Sequence, residues 1–193
     1  MRVLPIVLFL IAACGADDAG DPDGGGDGDG GGTGSGIDAP TGNGEPPGLE
    51  GTVAAHNAAR AEVGVGPMTW DPALAVIADT WVRQCRDTQA PIGLVDHNAG
   101  RSATYPTYVG ENIYGSGGGA SGVDAVRLWV GEKASYNYAA NTCSGVCGHY
   151  TQVVWRDSLK VGCALYDCAG LQFGSTVVCN YGPGGNVGGQ RPY

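Results

Sequence analysis

The 193-residue sequence is short of several kinds of residue, and each shortage narrows the possible functions. Its main apolar run, residues 3–13, is well below the roughly 20 residues that a membrane-spanning helix needs. Lys and Arg number 10 against 19 Asp and Glu, so no basic surface for a nucleic-acid partner is expected. Only three histidines are present, which leaves few candidates for imidazole chemistry. No internal repeat is visible, so a repeat architecture is not expected.

Residues 14–48 lack Lys and Arg and contain almost no large apolar side chain. They hold 14 Gly and 8 acidic residues, a composition that cannot bury enough surface to offset conformational entropy. We therefore predict a disordered linker that charge repulsion extends. Because 8 of the 19 acidic residues lie there, residues 49–193 keep 11 against 9 basic residues and are nearly neutral. That second part is long enough for one domain with its own core, which we expect to be a monomer.

The N-terminal residues have the pattern of an export signal. One Arg precedes the apolar run, which predicts a signal peptide over residues 1–13. The run ends Ile11-Ala12-Ala13-Cys14, an arrangement that resembles the lipobox of bacterial lipoproteins, in which the cysteine is lipidated. We therefore expect Cys14 to carry a lipid anchor, and the protein to be a secreted or outer-surface lipoprotein of a bacterium. The alternative is an ordinary signal peptide cut nearby, with Cys14 incidental.

Six further cysteines lie within residues 49–193. They are Cys85, Cys143, Cys147, Cys163, Cys168 and Cys179. An even number behind an export signal predicts three disulfides in an oxidising compartment. A metal knuckle is the weaker alternative, because the two close pairs lack the two-residue spacing of common zinc knuckles.

Helical patterns dominate the first half of this region. Residues 50–62 are alanine-rich and helix-prone, and Gly64 and Gly66 end that segment. A second helix is predicted to start with Asp71 as its cap and Pro72 in its first turn. The apolar face of this helix, at helical spacing, consists of Leu74, Ile77, Ala78, Trp81, Val82 and Cys85.

A third helix and a pair of strands follow. Ser121 with Asp124 three residues later has the form of a capping box, which predicts a helix start. The residues predicted to face the core from this helix are Val123, Val126, Trp129 and Val130. From Val161 onward the sequence is strand-like, with a hairpin turn predicted at Cys168 to Gly170. The predicted helices come first along the sequence and the antiparallel hairpin comes last, an order that indicates an α+β fold.

Several short motifs stand in the order typical of one known family. They are His56-Asn57-Ala58-Ala59-Arg60, Gly66-Pro67-Met68-Thr69-Trp70, Gly110-Glu111-Asn112-Ile113, Trp129 with Glu132 at the third helix, Gly148-His149-Tyr150-Thr151-Gln152-Val153-Val154-Trp155, and Cys179-Asn180-Tyr181 through Gly185-Asn186. With these motifs, residues 50–193 resemble the CAP superfamily, which groups cysteine-rich secretory proteins, insect venom allergens and plant pathogenesis-related class 1 proteins. The resemblance is closest to the plant branch.

The resemblance carries expectations about the fold. It implies an α-β-α sandwich, in which a small antiparallel sheet lies between helical layers. It also implies the disulfides Cys85–Cys168, Cys143–Cys147 and Cys163–Cys179, which leaves Cys14 unpaired. Finally, it implies a short helix at His149, where the propensity of the following Val-Val-Trp alone favours a strand.

Members of this superfamily place two histidines and two glutamates in one cleft. The resemblance carries these roles to His97, Glu111, Glu132 and His149. His97 departs from the plant pattern, because 13 residues separate it from Glu111 where the plant proteins have fewer. His56 is assigned to packing or capping within the first helix motif. Imidazoles beside carboxylates can bind zinc or another divalent ion through His97 and His149, can exchange protons, or can form a structural polar network.

A hydrolase, either metal-dependent or based on the His/Glu cleft, is the alternative function. A proteolytic scheme proposed for the superfamily uses a serine directly after the first histidine, and that position is Asn98 here. An amide cannot act as the nucleophile in such a scheme. Ser102 and Ser144 are nearby in sequence, but nothing marks either as activated. We therefore assign no catalytic residue and expect a non-enzymatic binding module.

The ligand expected for such a module is small and partly apolar, such as a sterol or fatty acid, because superfamily members have been linked to these lipids. The tyrosines expected to line its groove are Tyr105, Tyr108, Tyr114, Tyr136 and Tyr138. Another alternative is a module that presents its cleft to a partner or a cell-wall glycan. The segment 183–193 resembles the peptide that plant relatives release as a signal, but we expect it to be structural here.

Overall fold

The computed structural model describes residues 44–193. The predicted signal peptide at residues 1–13, the predicted lipidation of Cys14 and most of the predicted linker at 14–48 lie outside the described residues. Within the described part, no helix is long and apolar enough to cross a membrane.

Helix α1 (Thr52–Ala61) is capped by Glu45, a residue within the predicted linker at 14–48. Gly51 precedes the helix and has no side chain, so the carboxylate of Glu45 accepts the N–H groups of Gly51 and Val53 at 3.1 and 2.6 Å. Glu45 is only 8% exposed as a result. The predicted linker ends at residue 48, whereas the contacts of the domain begin before that, because the start of α1 requires this carboxylate.

Helices α2 (Pro72–Val82) and α3 (Gly122–Gly131) begin where the sequence predicts. Asp71 Oδ1 accepts two N–H groups of the first turn of α2, and Ser121 Oγ accepts the N–H of Asp124 in α3. The fully buried side chains of the two helices are Leu74, Ala78, Val82, Ala125, Val126 and Trp129.

The predicted core face of α3 is wrong at one position. Val123 is 43% exposed, although it was expected to face the core. The buried stripe of α3 runs through positions 122, 125, 126 and 129, which are three or four residues apart, and Val123 lies beside it.

A four-stranded sheet forms the centre of the domain, in the order β1-β5-β6-β2. Strands β5 (Lys160–Asp167) and β6 (Ser175–Gly182) form the predicted antiparallel hairpin, with a longer turn than expected. Strand β2 (Gly110–Ser116) pairs antiparallel with β6 and is an edge strand. The two-residue β1 (Thr69–Trp70) pairs parallel with β5. A separate small ribbon consists of β3 (Tyr136–Asn137) and β4 (Thr142–Cys143).

Helices cover both faces of this sheet. Helix α2 packs on β5 and β6, whereas α1, α3 and α4 (Gly148–Val153) pack together on the other face. Neighbouring residues of β6 show the two layers, because Val177 belongs to the core around Trp129 and Val178 to the core under α2. The α+β sandwich is therefore confirmed, and the segment at His149 is helical.

Three disulfides connect these elements in the pairings that the resemblance implies. Cys85–Cys168 links the chain after α2 to the end of β5. Cys143–Cys147 closes the loop before α4, and Cys163–Cys179 joins β5 to β6 at directly opposite positions.

The segment 183–193 is held against the domain by several contacts. The ring of Tyr193 stacks on that of Tyr138, with centroids 4.5 Å apart. Arg191 donates to two backbone carbonyls of the β3–β4 connection, and the N–H of Arg156 donates to the carbonyl of Pro192 at 2.7 Å. These contacts support the structural role expected for the segment.

Candidate functional site

The first histidine–carboxylate pair lies at the start of β2. Glu111 is the second residue of that strand, and its side chain has no exposed surface. Its Oε1 lies 2.7 Å from His97 Nδ1 and also accepts the N–H of Asn98 at 2.9 Å. Because an ionised carboxylate only accepts hydrogen bonds, Nδ1 of His97 is the donor, and Nε2 takes no part in this pair. The ring of His97 is 60% exposed.

The second pair joins the end of α3 to the start of α4. Glu132 directly follows α3, and its Oε1 lies 2.6 Å from Nδ1 of His149. Its Oε2 accepts the N–H groups of His149 and Tyr150 at 3.0 and 3.2 Å. Cys147 precedes the helix without a side-chain cap, so Glu132 satisfies the first turn of α4 and orients the imidazole at the same time.

The charge of Glu132 is stabilised by these contacts. Burial alone would raise the pKa of this carboxyl group. The hydrogen bond and charge of His149, together with the backbone N–H groups of Tyr150 and His149, outweigh that effect and lower the pKa below its usual value. The group is therefore an anion that accepts a hydrogen bond from Nδ1 of His149, and Nε2 takes no part in this pair.

Two further residues fix His149. The indole of Trp129 stacks on the imidazole, with ring centroids 6.2 Å apart and planes 15° from parallel. The amide of Asn112 donates to the backbone carbonyl of His149 at 3.1 Å. Contacts to the backbone, to the ring edge and to the ring face therefore restrain the same residue.

Both histidines line one cleft beside the edge strand β2. The cleft has a volume of about 210 Å³, and its apolar wall includes Leu94, Val95 and Ile113. Glu111 and Glu132 are not part of the lining, because they lie behind the imidazoles that they orient. The structure thus brings together all four predicted site residues, with the two imidazoles in front and the two carboxylates behind.

The donor set fits an open metal site better than a closed one. Within residues 44–193, no group of three or more His, Cys, Asp or Glu is arranged to hold a metal ion. Two imidazoles could supply two ligands, whereas a tetrahedral zinc ion takes four. A zinc ion held here would fill its other positions with water or with groups of a ligand.

The candidate nucleophiles of a hydrolase are engaged elsewhere. Asn98 Oδ1 accepts the N–H of Gly100, so this amide shapes a turn. Ser102 Oγ accepts the N–H of Val109, and Ser144 Oγ donates to the carbonyl of Ser135. These hydroxyls therefore have structural partners, and neither is paired with an imidazole.

The predicted tyrosine lining is dispersed over the domain. Tyr105 donates to Asp71 Oδ2 at 2.9 Å, and Tyr108 lies beneath the guanidinium of Arg101. Tyr114 packs against the core around Trp129. Tyr136 and Tyr138 lie together in β3 and the following turn.

The sequence missed two residues that contact this site. In the sequence, Asn112 belongs to the Gly-Glu-Asn motif and Tyr181 to Cys-Asn-Tyr, and neither motif predicts a role for these side chains in the cleft. In the structure the amide of Asn112 bonds to both the hydroxyl of Tyr181 and the carbonyl of His149. The signal in the sequence was Asn112 itself, a polar residue directly after Glu111 in a segment whose next residue, Ile113, is apolar.

The fold and the cleft define a class of protein. The model of the family described as CAP, the cysteine-rich secretory protein family, matches residues 53–181, more than half of the chain. The chain belongs to this family, as the motifs predicted.

The relatives narrow the comparison to the plant branch. Pathogenesis-related protein 1 of Arabidopsis thaliana is 49% identical over 141 residues, which cover 73% of this chain and 80% of the relative. Pathogenesis-related protein 1B of Nicotiana tabacum is 48% identical over 142 residues, which cover 72% of this chain and 77% of the relative. The solved structure of Schistosoma mansoni venom allergen-like protein 4 aligns with a TM-score of 0.57 at 25% identity, over 77% of this chain and 94% of that one.

These relatives contradict the predicted localisation. The prediction of a bacterial outer-surface lipoprotein used the short pattern at residues 11–14, whereas the relatives are plant pathogenesis-related proteins. That prediction is wrong, because a pattern of four residues carries far less information than 49% identity over 141 residues. A location outside the cytoplasm is supported, since the family is described as secretory and the domain has three disulfides.

Proposed function

We propose that the chain is a non-enzymatic, extracytoplasmic binding module whose cleft binds zinc or a similar divalent ion through His97 and His149. One observation carries this proposal. Both imidazoles direct Nδ1 to a carboxylate and therefore leave Nε2 free, and both line the same cleft. Carboxylates behind ligating histidines are the usual outer-shell arrangement of zinc sites, where they fix the tautomer and raise ligand basicity.

The roles of the four residues follow from this geometry. Nε2 of His97 and of His149 would be the ligand atoms, and Glu111 and Glu132 would hold the rings. A bound ion would supply a Lewis-acidic centre for an anionic group of a ligand. Because ligating imidazoles must be neutral, zinc affinity should fall as the pH is lowered through about 6.

Calorimetric titration with zinc chloride tests this proposal. We expect wild-type protein to bind zinc and both His97→Ala and His149→Ala to lose at least tenfold in affinity, since each removes one of two protein ligands. Lys133→Ala is the matched control, because Lys133 neighbours Glu132 but forms only an exposed ion pair with Glu62. Equal affinity in wild type and His149→Ala, or no binding by wild type, would contradict the proposal.

A second proposal concerns a small apolar ligand such as a sterol or fatty acid. A groove of about 510 Å³ lies between the Cys143–Cys147 loop and the segment 186–192. Among the described residues, all those that line it are uncharged, and Val146, Trp155 and Val187 give it apolar walls. Its volume lies in the range of small-molecule sites, 300–1,000 Å³, which the histidine cleft does not reach.

Equilibrium binding of radiolabelled cholesterol and palmitate tests the apolar ligand. We expect Val187→Asp to weaken binding about tenfold, because it places a charge in the groove. Val123→Asp is the matched control, since Val123 on α3 is about as exposed as Val187, 43% against 44%. Loss of binding in both variants, or no saturable binding by wild type, would contradict the assignment to this groove.

A further inference from the structure

A chain of buried hydrogen bonds crosses the core and ends at the cleft. It begins at the backbone carbonyl of Thr52 in α1, which lies 2.8 Å from Nδ1 of His56. Nε2 of His56 lies 2.9 Å from the hydroxyl of Tyr181 in β6, and that oxygen lies 3.1 Å from the amide of Asn112 in β2. All three side chains are almost completely buried.

The direction of each bond follows from the chemistry of its partners. A carbonyl only accepts, so Nδ1 of His56 donates to Thr52 and Nε2 is the acceptor of the neutral ring. The hydroxyl of Tyr181 must then donate to Nε2, and its oxygen accepts from Asn112. Burial lowers the pKa of His56 to about 4, which keeps the ring neutral under ordinary conditions. Only one arrangement of protons therefore satisfies all three hydrogen bonds of this series.

The series of hydrogen bonds ends in β2, where two neighbouring side chains on opposite faces of the strand contact the two histidines of the cleft. Glu111 and Asn112 are consecutive in β2, so their side chains point to opposite faces. Glu111 holds the ring of His97, and the second N–H of Asn112 donates to the backbone carbonyl of His149. Two adjacent residues of a single edge strand therefore each contact one of the two histidines.

We propose that Asn112 is a positioning residue that sets the place of His149 opposite His97, and that Tyr181 and His56 hold its amide in the required orientation. A buried polar network in which every bond is satisfied has one low-energy arrangement, so it transmits the rigidity of the core to the cleft. This inference rests on the proposed metal function for one of its readouts only, the zinc affinity.

The variant Tyr181→Phe tests the inference, because it removes one hydroxyl and with it both central bonds. Tyr136→Phe is the matched control: Tyr136 is half-buried, and its hydroxyl donates to Asn141 at 2.7 Å, away from these hydrogen bonds. We expect Tyr181→Phe to lower zinc affinity about tenfold and to shift the ring ¹H–¹³C resonances of His149 in metal-free protein. Tyr136→Phe also removes one bonded hydroxyl and should show neither effect. Identical zinc affinity and identical His149 ring resonances in the two variants would overturn the inference.

Two further measurements cover the case in which Tyr181→Phe does not fold. Asn112→Ser shortens the link next to His149 and leaves the Tyr181–His56 bond in place, so the same two effects are expected. In the unaltered protein, ¹⁵N shifts of the histidines must report the Nδ1–H form for His56, and the Nε2–H form would overturn the chain. If wild-type protein binds no zinc, the metal proposal fails alone, because the metal-free NMR measurements still decide the role of Asn112.

Discussion

Three polar side chains on α1 are buried, although the helix propensity of residues 50–62 comes from their alanines. Thr52, His56 and Arg60 lie one turn apart, and each is fully buried. The guanidinium of Arg60 donates to the carbonyls of Gly66, Val153 and Trp155 at 2.7 to 3.1 Å. Burial lowers the pKa of Arg60 to about 10, so the group keeps its charge at neutral pH. The inner face of α1 therefore combines the apolar Val53 and Ala59 with polar side chains that bind other elements.

His56 should make the stability of the domain depend on pH. Its pKa is about 4 in the folded state and 6.5 when unfolded, so the unfolded chain binds a proton first as the pH falls. The free energy of unfolding should therefore decrease from pH 6.5 down to pH 4, by about 3 kcal/mol from this residue. Above pH 6.5 its contribution is complete and constant.

Urea denaturation at several pH values measures this dependence. The window between pH 6.5 and 5 excludes the carboxyl groups whose pKa values are lowered, Asp71, Asp96 and Glu132, because they titrate at lower pH. A variant of His56 then separates its effect from that of the other two histidines. The variant His56→Gln should be less stable at neutral pH but should show a flatter curve across that window. The same slope in the variant and in wild type would show that another group is responsible.

For individual residues, the family motifs predicted the four residues of the cleft but not the hydrogen bonds that position them. His149, Glu111 and Glu132 stand inside local motifs, and His97 followed as the remaining histidine. The supporting bonds join residues that are far apart in sequence, 125 positions between His56 and Tyr181 and 69 between Asn112 and Tyr181. No periodicity or propensity connects such positions, so only the fold reveals them.

Among the elements, α4 shows most clearly how tertiary contacts override propensity. It has six residues, too few for an isolated helix to be stable, and it ends in valines that favour strands. Glu132 binds the N–H groups of its first turn, and Arg60 binds carbonyls at its end. A negative group at the N-terminus of a helix and a positive group at its C-terminus both interact favourably with the helix dipole. The family resemblance predicted this helix, whereas local propensity did not.

The packing of α2 on the sheet could be predicted only in part. The cap at Asp71 and the buried stripe of Leu74, Ala78 and Val82 follow from the sequence. The close approach of the helix to β5 does not. A Cβ at Gly162 would overlap the backbone nitrogen of Ala75 and the carbonyl of Asp71, so glycine is required where the first turn of α2 crosses the strand. A glycine inside a strand pattern indicates such an approach but not its partner.

For the whole molecule, the disulfide pairing decides how the domain resists unfolding. Cys85–Cys168 closes a loop of 83 residues, Cys163–Cys179 one of 16 and Cys143–Cys147 one of 4. In the chain-entropy model these closures stabilise the folded state by about 4.5, 3 and 2 kcal/mol. The longest closure joins the end of α2 to the end of β5, so it restrains the layer on one face of the sheet against the strand it covers.

We therefore expect the double variant Cys85→Ala/Cys168→Ala to lose about 4 to 5 kcal/mol of unfolding free energy, and Cys143→Ala/Cys147→Ala only about 2 kcal/mol. Guanidinium denaturation without reductant measures both, and the two double variants serve as controls for each other because each removes two sulfur atoms. The smaller loss follows from the shorter loop, and Glu132 and Arg60 continue to hold both ends of α4 in that variant. An equal loss in the two variants would show that local geometry, and not loop length, determines how these disulfides stabilise the domain.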